Sequence, residues 1–242
     1  MLVEIWSDVV CPWCYIGKRK FEAALASFAH RDDVTVEWRS FELDPNAPAR
    51  RQLSTNQQLA KKYGMSEEQA QAATARVTGV ATEVGLDFRW DVAKSGNTFD
   101  AHRLIHLAAT HGLGDATKEA LMAAYFTHGA PIGERATLEK VAAEVGLDAE
   151  EVATAMDGAA FADDVRHDEQ MAGTLGISAV PFFVIDRAIG VPGAQTPDVL
   201  LSALEQAWSK SHPLNMVGAP SGGATTDAGD SGEACSDGTC AV

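Results

Sequence analysis

The chain predicts an α/β fold in which a small sheet is interrupted by a large all-helical insertion, and three stretches of sequence carry that prediction. A strand–helix–strand pattern opens the chain, helix follows helix from Ser54 to about Gly176, and strand signals return at Val180 ahead of a last amphipathic helix. Residues 1–50 and 177–210 are expected to form one discontinuous domain, with 51–176 inserted and 211–242 a flexible tail.

The apolar run Leu2-Val3-Glu4-Ile5-Trp6 reads as a strand, and a helical pattern starts near Tyr15, with Phe21, Leu25 and Phe28 at helical spacing. After Asp32-Asp33, the β-branched and aromatic run Val34–Leu43 reads as a second strand, closed by Asp44-Pro45-Asn46-Ala47-Pro48. This has the length of a right-handed parallel crossover. In the helical block, Ser66 and Gln69 make a capping box. Leu138, Val141, Ala142 and Val145 share one helix face that Gly146 ends, and Asp148 with Glu151 caps the next helix. A further helix is expected from about Ala159 to Leu175, with Phe161, Val165, Ala172 and Leu175 inward and Gly176 as its stop. Val180–Asp186 and Ala188–Val191 read as a tight antiparallel hairpin. Thr196 then caps a final helix with Pro197 at its first position and Leu200, Leu201, Leu204 and Trp208 buried.

Cys11-Pro12-Trp13-Cys14 sits where the first strand gives way to the first helix. Unpaired N–H groups and the helix dipole at that position stabilise a thiolate, which makes Cys11 the expected nucleophile. Cys14, one turn on, is placed to resolve a mixed disulfide, and Pro12 suits a first turn whose N–H groups have no helical partner. The same spacing is also half of a zinc site, although a second close Cys or His pair in the same small module is missing.

With 19 basic and 34 acidic residues the chain carries a net charge of −15 and has no basic cluster, so a nucleic-acid partner is not expected. Hydrophobic content of 46% is ordinary for a soluble globular protein. No stretch approaches the roughly 20 apolar residues that span a bilayer, so no membrane partner is expected. The first residues lack a basic region and a long apolar run, and a cytoplasmic setting is expected. In that reducing compartment, a close cysteine pair points to redox chemistry rather than a structural staple.

Three separated segments resemble one family. Ser7–Gly17 around the CxxC, Asn97-Thr98-Phe99-Asp100-Ala101-His102-Arg103-Leu104, and Ser178-Ala179-Val180-Pro181-Phe182 are similar to the FrnE-type cytoplasmic members of the DsbA-like family, over about residues 1–210. The resemblance implies a thioredoxin-like fold with a helical insertion. It also implies that Pro181 is a cis-proline packed against the cysteine pair, leaving the Val180 backbone to meet an extended substrate. From the residues alone, an ordinary trans-proline at a strand start is the favoured reading, since only about 5–6% of X–Pro bonds are cis. The kappa-class glutathione transferases and hydroxychromene-carboxylate isomerases share the insertion but typically carry Ser where this chain has Cys11. Two protein thiols therefore favour thiol–disulfide exchange.

Further candidates stand around this pair. Glu4, on a strand expected to be buried on both faces, is expected to take the Cys14 proton with a pKa raised by desolvation, or else to sit at the strand's exposed end. His102 is expected to face the groove, where a protonated imidazole stabilises the Cys11 thiolate, or else to be structural. Trp13 is expected to be an exposed substrate contact beside Pro12, and Asn97 a helix cap. Cys235 and Cys240, with Asp237-Gly238 between them, form a second pair that can close a small loop and act as an accessory redox pair. A flexible chain from residue 210 to 235 spans roughly 25–30 Å, enough to return to Cys11.

The sequence therefore predicts a thiol–disulfide oxidoreductase or isomerase with no resident cofactor. Its expected partners are protein dithiols and disulfides, glutathione-like thiols or a thioredoxin-type reductant. The competing readings are a glutathione-dependent transferase or 2-hydroxychromene-2-carboxylate isomerase-like enzyme, and a redox-regulated chaperone-like binding module.

Overall fold

β1 (Leu2–Ser7) is the inner strand of a four-stranded sheet ordered β2-β1-β3-β4 in the computed structural model, which describes residues 1–213. β2 (Thr35–Ser40) runs parallel to β1, whereas β3 (Phe182–Ile185) is antiparallel to β1 and to β4 (Ile189–Pro192). The helices are α1 (Pro12–Ser27), α2 (Thr55–Tyr63), α3 (Glu67–Glu83), α4 (Phe99–Thr110), α5 (Gly114–Phe126), α6 (Arg135–Glu144), α7 (Ala149–Asp157), α8 (Ala162–Thr174) and α9 (Pro197–Ser211). Thus α1 makes the β1–β2 crossover, α2 to α8 form the insertion, and α9 follows the hairpin.

Alternation along β1 decides what lies on each side of the sheet. Val3 and Ile5 pack with Phe21 and Ala24 of α1, with Phe28 just after it, and with Leu200 and Leu204 of α9. Trp6 points the other way, onto Ala172 of α8 and Ile177, and its indole donates to the Asp168 carbonyl at 2.9 Å. Each large apolar side chain fully buried here contributes about 1.5–3 kcal/mol. A third core joins Cys11, Cys14, Tyr15 and Ile16 to insertion residues such as Leu104, Leu121, Phe126 and Leu138. The cysteine turn is thereby packed into the helical block, and residues 1–211 form one compact unit.

The caps follow the sequence. Ser66 and Gln69 make the expected reciprocal box, and Ser54 with Gln57 makes a second one. Asp148 accepts from the N–H groups of Glu150 and Glu151. The hairpin turns through Asp186 and Arg187, both left-handed at φ 47° and 51°, as a two-residue turn between twisted strands requires.

Three expectations need correction. β2 ends at Ser40, so Phe41, Glu42 and Leu43 lie beyond it, where Leu43 N–H donates to Asp8. Leu175 is 49% exposed rather than inward, because α8 stops at Thr174 and the chain turns at Gly176 with φ 72°. The helix expected from about Ala159 starts at Ala162, so Phe161 precedes it in a left-handed conformation while still packing, half-buried, against the insertion core.

Candidate active site

The first turn of α1 presents the cysteine pair. Cys11 is its N-cap, with extended backbone (φ −86°, ψ 115°) and no side chain capping the turn, and Pro12 is the first helical residue. The Cys11 N–H bonds the Asp8 carbonyl at 3.2 Å, while the Cys11 carbonyl accepts from Cys14 N–H at 3.1 Å and Tyr15 N–H at 3.3 Å. Both thiols are free and buried. Burial, with the hydrogen bond and charge of Cys11, pushes the Cys14 thiol well up. Trp13 points outward, 42% exposed.

The segment before β3 completes the site. The Val180–Pro181 peptide is cis, and the Val180 carbonyl lies 3.6 Å from Cys11 Sγ. Pro181 sits so close to α1 that a Cβ on Gly17 would come within 2.9 Å of its Cγ. Gly17 is the residue that lets helix and loop meet, at a cost of about 1 kcal/mol in helix propensity. Beside them a shallow cleft of about 130 Å³ is lined by Ser178, Ala179, Val180, Pro181, Phe182 and Pro192. Cys11, Cys14, Pro12, Trp13, Val180 and Pro181 are therefore brought together at one end of the sheet.

Glu4 is buried on its strand and His102 is the buried structural histidine of the alternative reading, but neither takes the functional role expected of it. Glu4 is on the α8 side of β1, opposite α1, where Arg39 Nη2 reaches Oε1 at 2.7 Å and Arg187 Nε reaches Oε2 at 3.0 Å. Burial would raise its pKa, but the hydrogen bonds and charges of Arg187 and Arg39 outweigh burial and hold it below the ordinary value. The expected upward shift is thus reversed. His102 is buried, and burial lowers its pKa despite Asp8, so the imidazole is neutral rather than a cation facing the groove. Its Nε2 stands 3.5 Å from Asp8 Oδ1 and makes no hydrogen bond. Asn97 accepts from Phe99 N–H at 2.9 Å, and so supports the start of α4. Cys235 and Cys240 lie outside the described residues.

Two charged groups near the thiols carry no role in the sequence expectations. Asp8, buried in the β1–α1 turn, accepts from Leu43 N–H at 2.8 Å. Burial pushes its pKa up, yet His102, the Leu43 N–H and the charge of Lys118 bring it below the ordinary value. Lys118 of α5 is fully buried and donates to the Ser7 carbonyl at 3.2 Å. Its position in sequence, on an otherwise apolar face beside Leu121, Met122 and Tyr125, is the only local signal that could have marked it.

Comparison with known proteins agrees with this fold. A probable DsbA oxidoreductase from Streptomyces coelicolor, SCO1869, has a solved structure that superposes with a TM-score of 0.84 at 45% identity, covering 94% of this chain and 100% of that one. The uncharacterized protein YwbO of Bacillus subtilis is 30% identical over 210 residues, 86% of this chain and 98% of its own length. The cytosolic disulfide reductase DsbM from Pseudomonas aeruginosa, solved with GSH, shares the fold at 20% identity and a TM-score of 0.60, over 86% of this chain and 99% of that one. The model of the DSBA-like thioredoxin domain matches residues 2–205. With nearly the whole described chain inside that match, and the cysteine turn and cis-proline in place, this protein belongs to the DsbA-like thioredoxin-domain family.

Proposed function

We propose that the protein is a cytoplasmic thiol–disulfide oxidoreductase acting on protein disulfides, with Cys11 as nucleophile and Cys14 as resolving thiol. The observation that carries this reading is the juxtaposition of Cys11 Sγ, at the start of α1, with the Val180 carbonyl at 3.6 Å and the cleft beside Pro181. In the first step the Cys11 sulfur attacks one sulfur of a substrate disulfide, a mixed disulfide forms, and the other substrate sulfur leaves with the electron pair and takes a proton. Cys14 then attacks Cys11 Sγ, the bond to substrate breaks, and the second substrate thiol departs with the proton that Cys14 gave up. Trp13 and the Val180 backbone hold an extended segment across the cleft, main chain supplying affinity and side chains selectivity.

Glutathione is the proposed low-molecular-weight partner, supported by the DsbM structure with GSH and by the pair of protein thiols. The test is insulin reduction and refolding of scrambled ribonuclease by the full chain, by Cys11→Ser and by Cys14→Ser. Cys11→Ser should abolish both activities, and Cys14→Ser should accumulate a mixed disulfide at Cys11 visible by mass spectrometry. Exchange that persists in Cys11→Ser would overturn the assignment. Glutathione conjugation of a small electrophile surviving in that variant would favour a transferase instead. The cytoplasmic setting is tested by fractionating cells that express the tagged chain.

A further inference from the structure

Lys118 reaches the cysteine pair from the insertion, not from the sheet domain. α5 is fastened to α1 by several polar contacts: Tyr15 Oη donates to Glu119 at 2.6 Å, Arg19 pairs with Glu119, and Lys18 reaches Glu119 at 3.1 Å and Asp115 at 3.3 Å. These contacts fix the fully buried Lys118 side chain against the floor of the site. Its Nζ donates to the Ser7 carbonyl at 3.2 Å and stands 5.4 Å from the centre of the Trp38 ring. Neither partner is an anion. A buried ammonium costs several kcal/mol unless negative charge answers it.

The charges that face it come from α1 with its N-cap, from the β1–α1 turn and from α4. Cys14 on α1, Asp8 in the β1–α1 turn and Cys11 at the N-cap favour its charged form, whereas Lys18 on α1 opposes it, and His102 on α4 feels its charge. Asp8 is partly engaged with Leu43 N–H and stands near His102. The other groups facing it that can carry negative charge are the two sulfurs.

We propose that Lys118 is a positioning residue for the dithiol, its ammonium held by the insertion to balance the negative charge that forms on Cys14 when that thiol becomes the resolving nucleophile. The proposal rests on the exchange reading and adds the group that makes its second step feasible in a buried site. In that step the Cys14 S–H proton is released, the Cys14–Cys11 bond forms, the Cys11–substrate bond breaks, and the departing substrate thiolate takes up a proton. Lys118 keeps its own proton throughout and supplies charge alone. Once the disulfide closes, the sulfurs no longer carry charge and the ammonium keeps Asp8 as its facing anion, so the oxidised protein holds the Lys118 proton less tightly than the reduced one. Burial lowers the Lys118 pKa to about 8 even with both thiols present, which brings this linkage near neutral pH.

The experiment compares the full chain with Lys118→Met and Lys118→Arg. Equilibration with reduced and oxidised glutathione reads the potential, and iodoacetamide alkylation of Cys14 in a Cys11→Ser background, followed peptide by peptide against pH, reads its thiolate. Lys118→Met should move the redox equilibrium toward the disulfide form by tenfold or more, about 30 mV for two electrons, and shift the Cys14 alkylation midpoint upward. Lys118→Arg should keep both values near those of the parent. An unchanged potential and midpoint in Lys118→Met, or equal shifts in Met and Arg variants, would overturn the proposal. The alkylation readout needs no turnover. Failure of the parent chain to exchange with glutathione or insulin would count against the exchange reading alone, leaving Lys118 still decided by alkylation.

Discussion

Two buried charge clusters lie along β1, and they are built in opposite ways. At Glu4 a single carboxylate meets two guanidinium groups, with Arg39 also reaching Asp168 at 3.3 Å and Glu37 at 2.7 Å. At the other end, Lys118, Asp8 and His102 share a pocket with two thiols, yet Lys118 rests on a carbonyl and an aromatic ring and His102 Nε2 has no hydrogen bond. The first cluster is compensated within the folded chain. In the second, among the described residues, Asp8 faces Lys118 without a direct ion pair, and the two thiols are the other groups there that can carry negative charge. Buried charge alone therefore does not mark a reactive site, and incomplete compensation beside nucleophiles is the more telling sign.

The sharpest way to break the comparison is to empty the compensated cluster. Glu4→Ala should lower unfolding free energy by about 2 kcal/mol, since it removes the charge-assisted hydrogen bonds that Arg39 and Arg187 make to a buried carboxylate. Its redox potential, measured against glutathione on the folded fraction, should stay at the parent value. A smaller and opposite stability change is expected at the second cluster. Lys118→Met should raise the stability of the reduced protein by about 1 kcal/mol at pH 7, because a desolvated ammonium is replaced by a side chain of similar volume. Urea denaturation of both variants checks the two signs together.

The clusters should also separate on the pH axis. The lowered Glu4 pKa means its stabilisation is complete above its unfolded value of 4.5 and is lost as pH falls through the folded value. Lys118 works on the alkaline side. Its pKa of about 8 lies below the unfolded 10.5, so the penalty of its charge is full below about 8 and is relieved as pH rises toward 10.5. Urea midpoints measured from pH 3 to 10 should therefore lose acid sensitivity in Glu4→Ala and lose the alkaline gain in Lys118→Met. The smallest effect is expected at the mouth of the site, where Trp13→Ala should raise KM for an insulin substrate several-fold while leaving kcat and the potential nearly unchanged.

Much of this was legible from residue order. The strand–helix junction at Cys11, the capping boxes and the hairpin depend on neighbours a few residues apart, and short-range rules reach that far. Period-two alternation places Glu4 with Trp6, on the face away from α1, so a carboxylate there meets α8 and the arginines instead of Cys14. The direction of its pKa depended on Arg39 and Arg187, which are distant in sequence. His102 likewise reads as a surface switch in one dimension, but the packing of α4 buries it and favours the neutral ring.

By itself the sequence determined that two thiols one helical turn apart stand at a strand–helix junction, and that a block of helices separates them from Pro181 and the strand that follows it. Those features follow from local periodicity and from turn chemistry. Only the tertiary structure decided which charges surround the thiols. Lys118 and Cys14 are far apart along the chain and share no local pattern, and they meet because α5 is docked on α1 through Tyr15, Lys18, Arg19 and Glu119. Electrostatics acts through space, so the environment of the pair was set by packing that no spacing along the chain records.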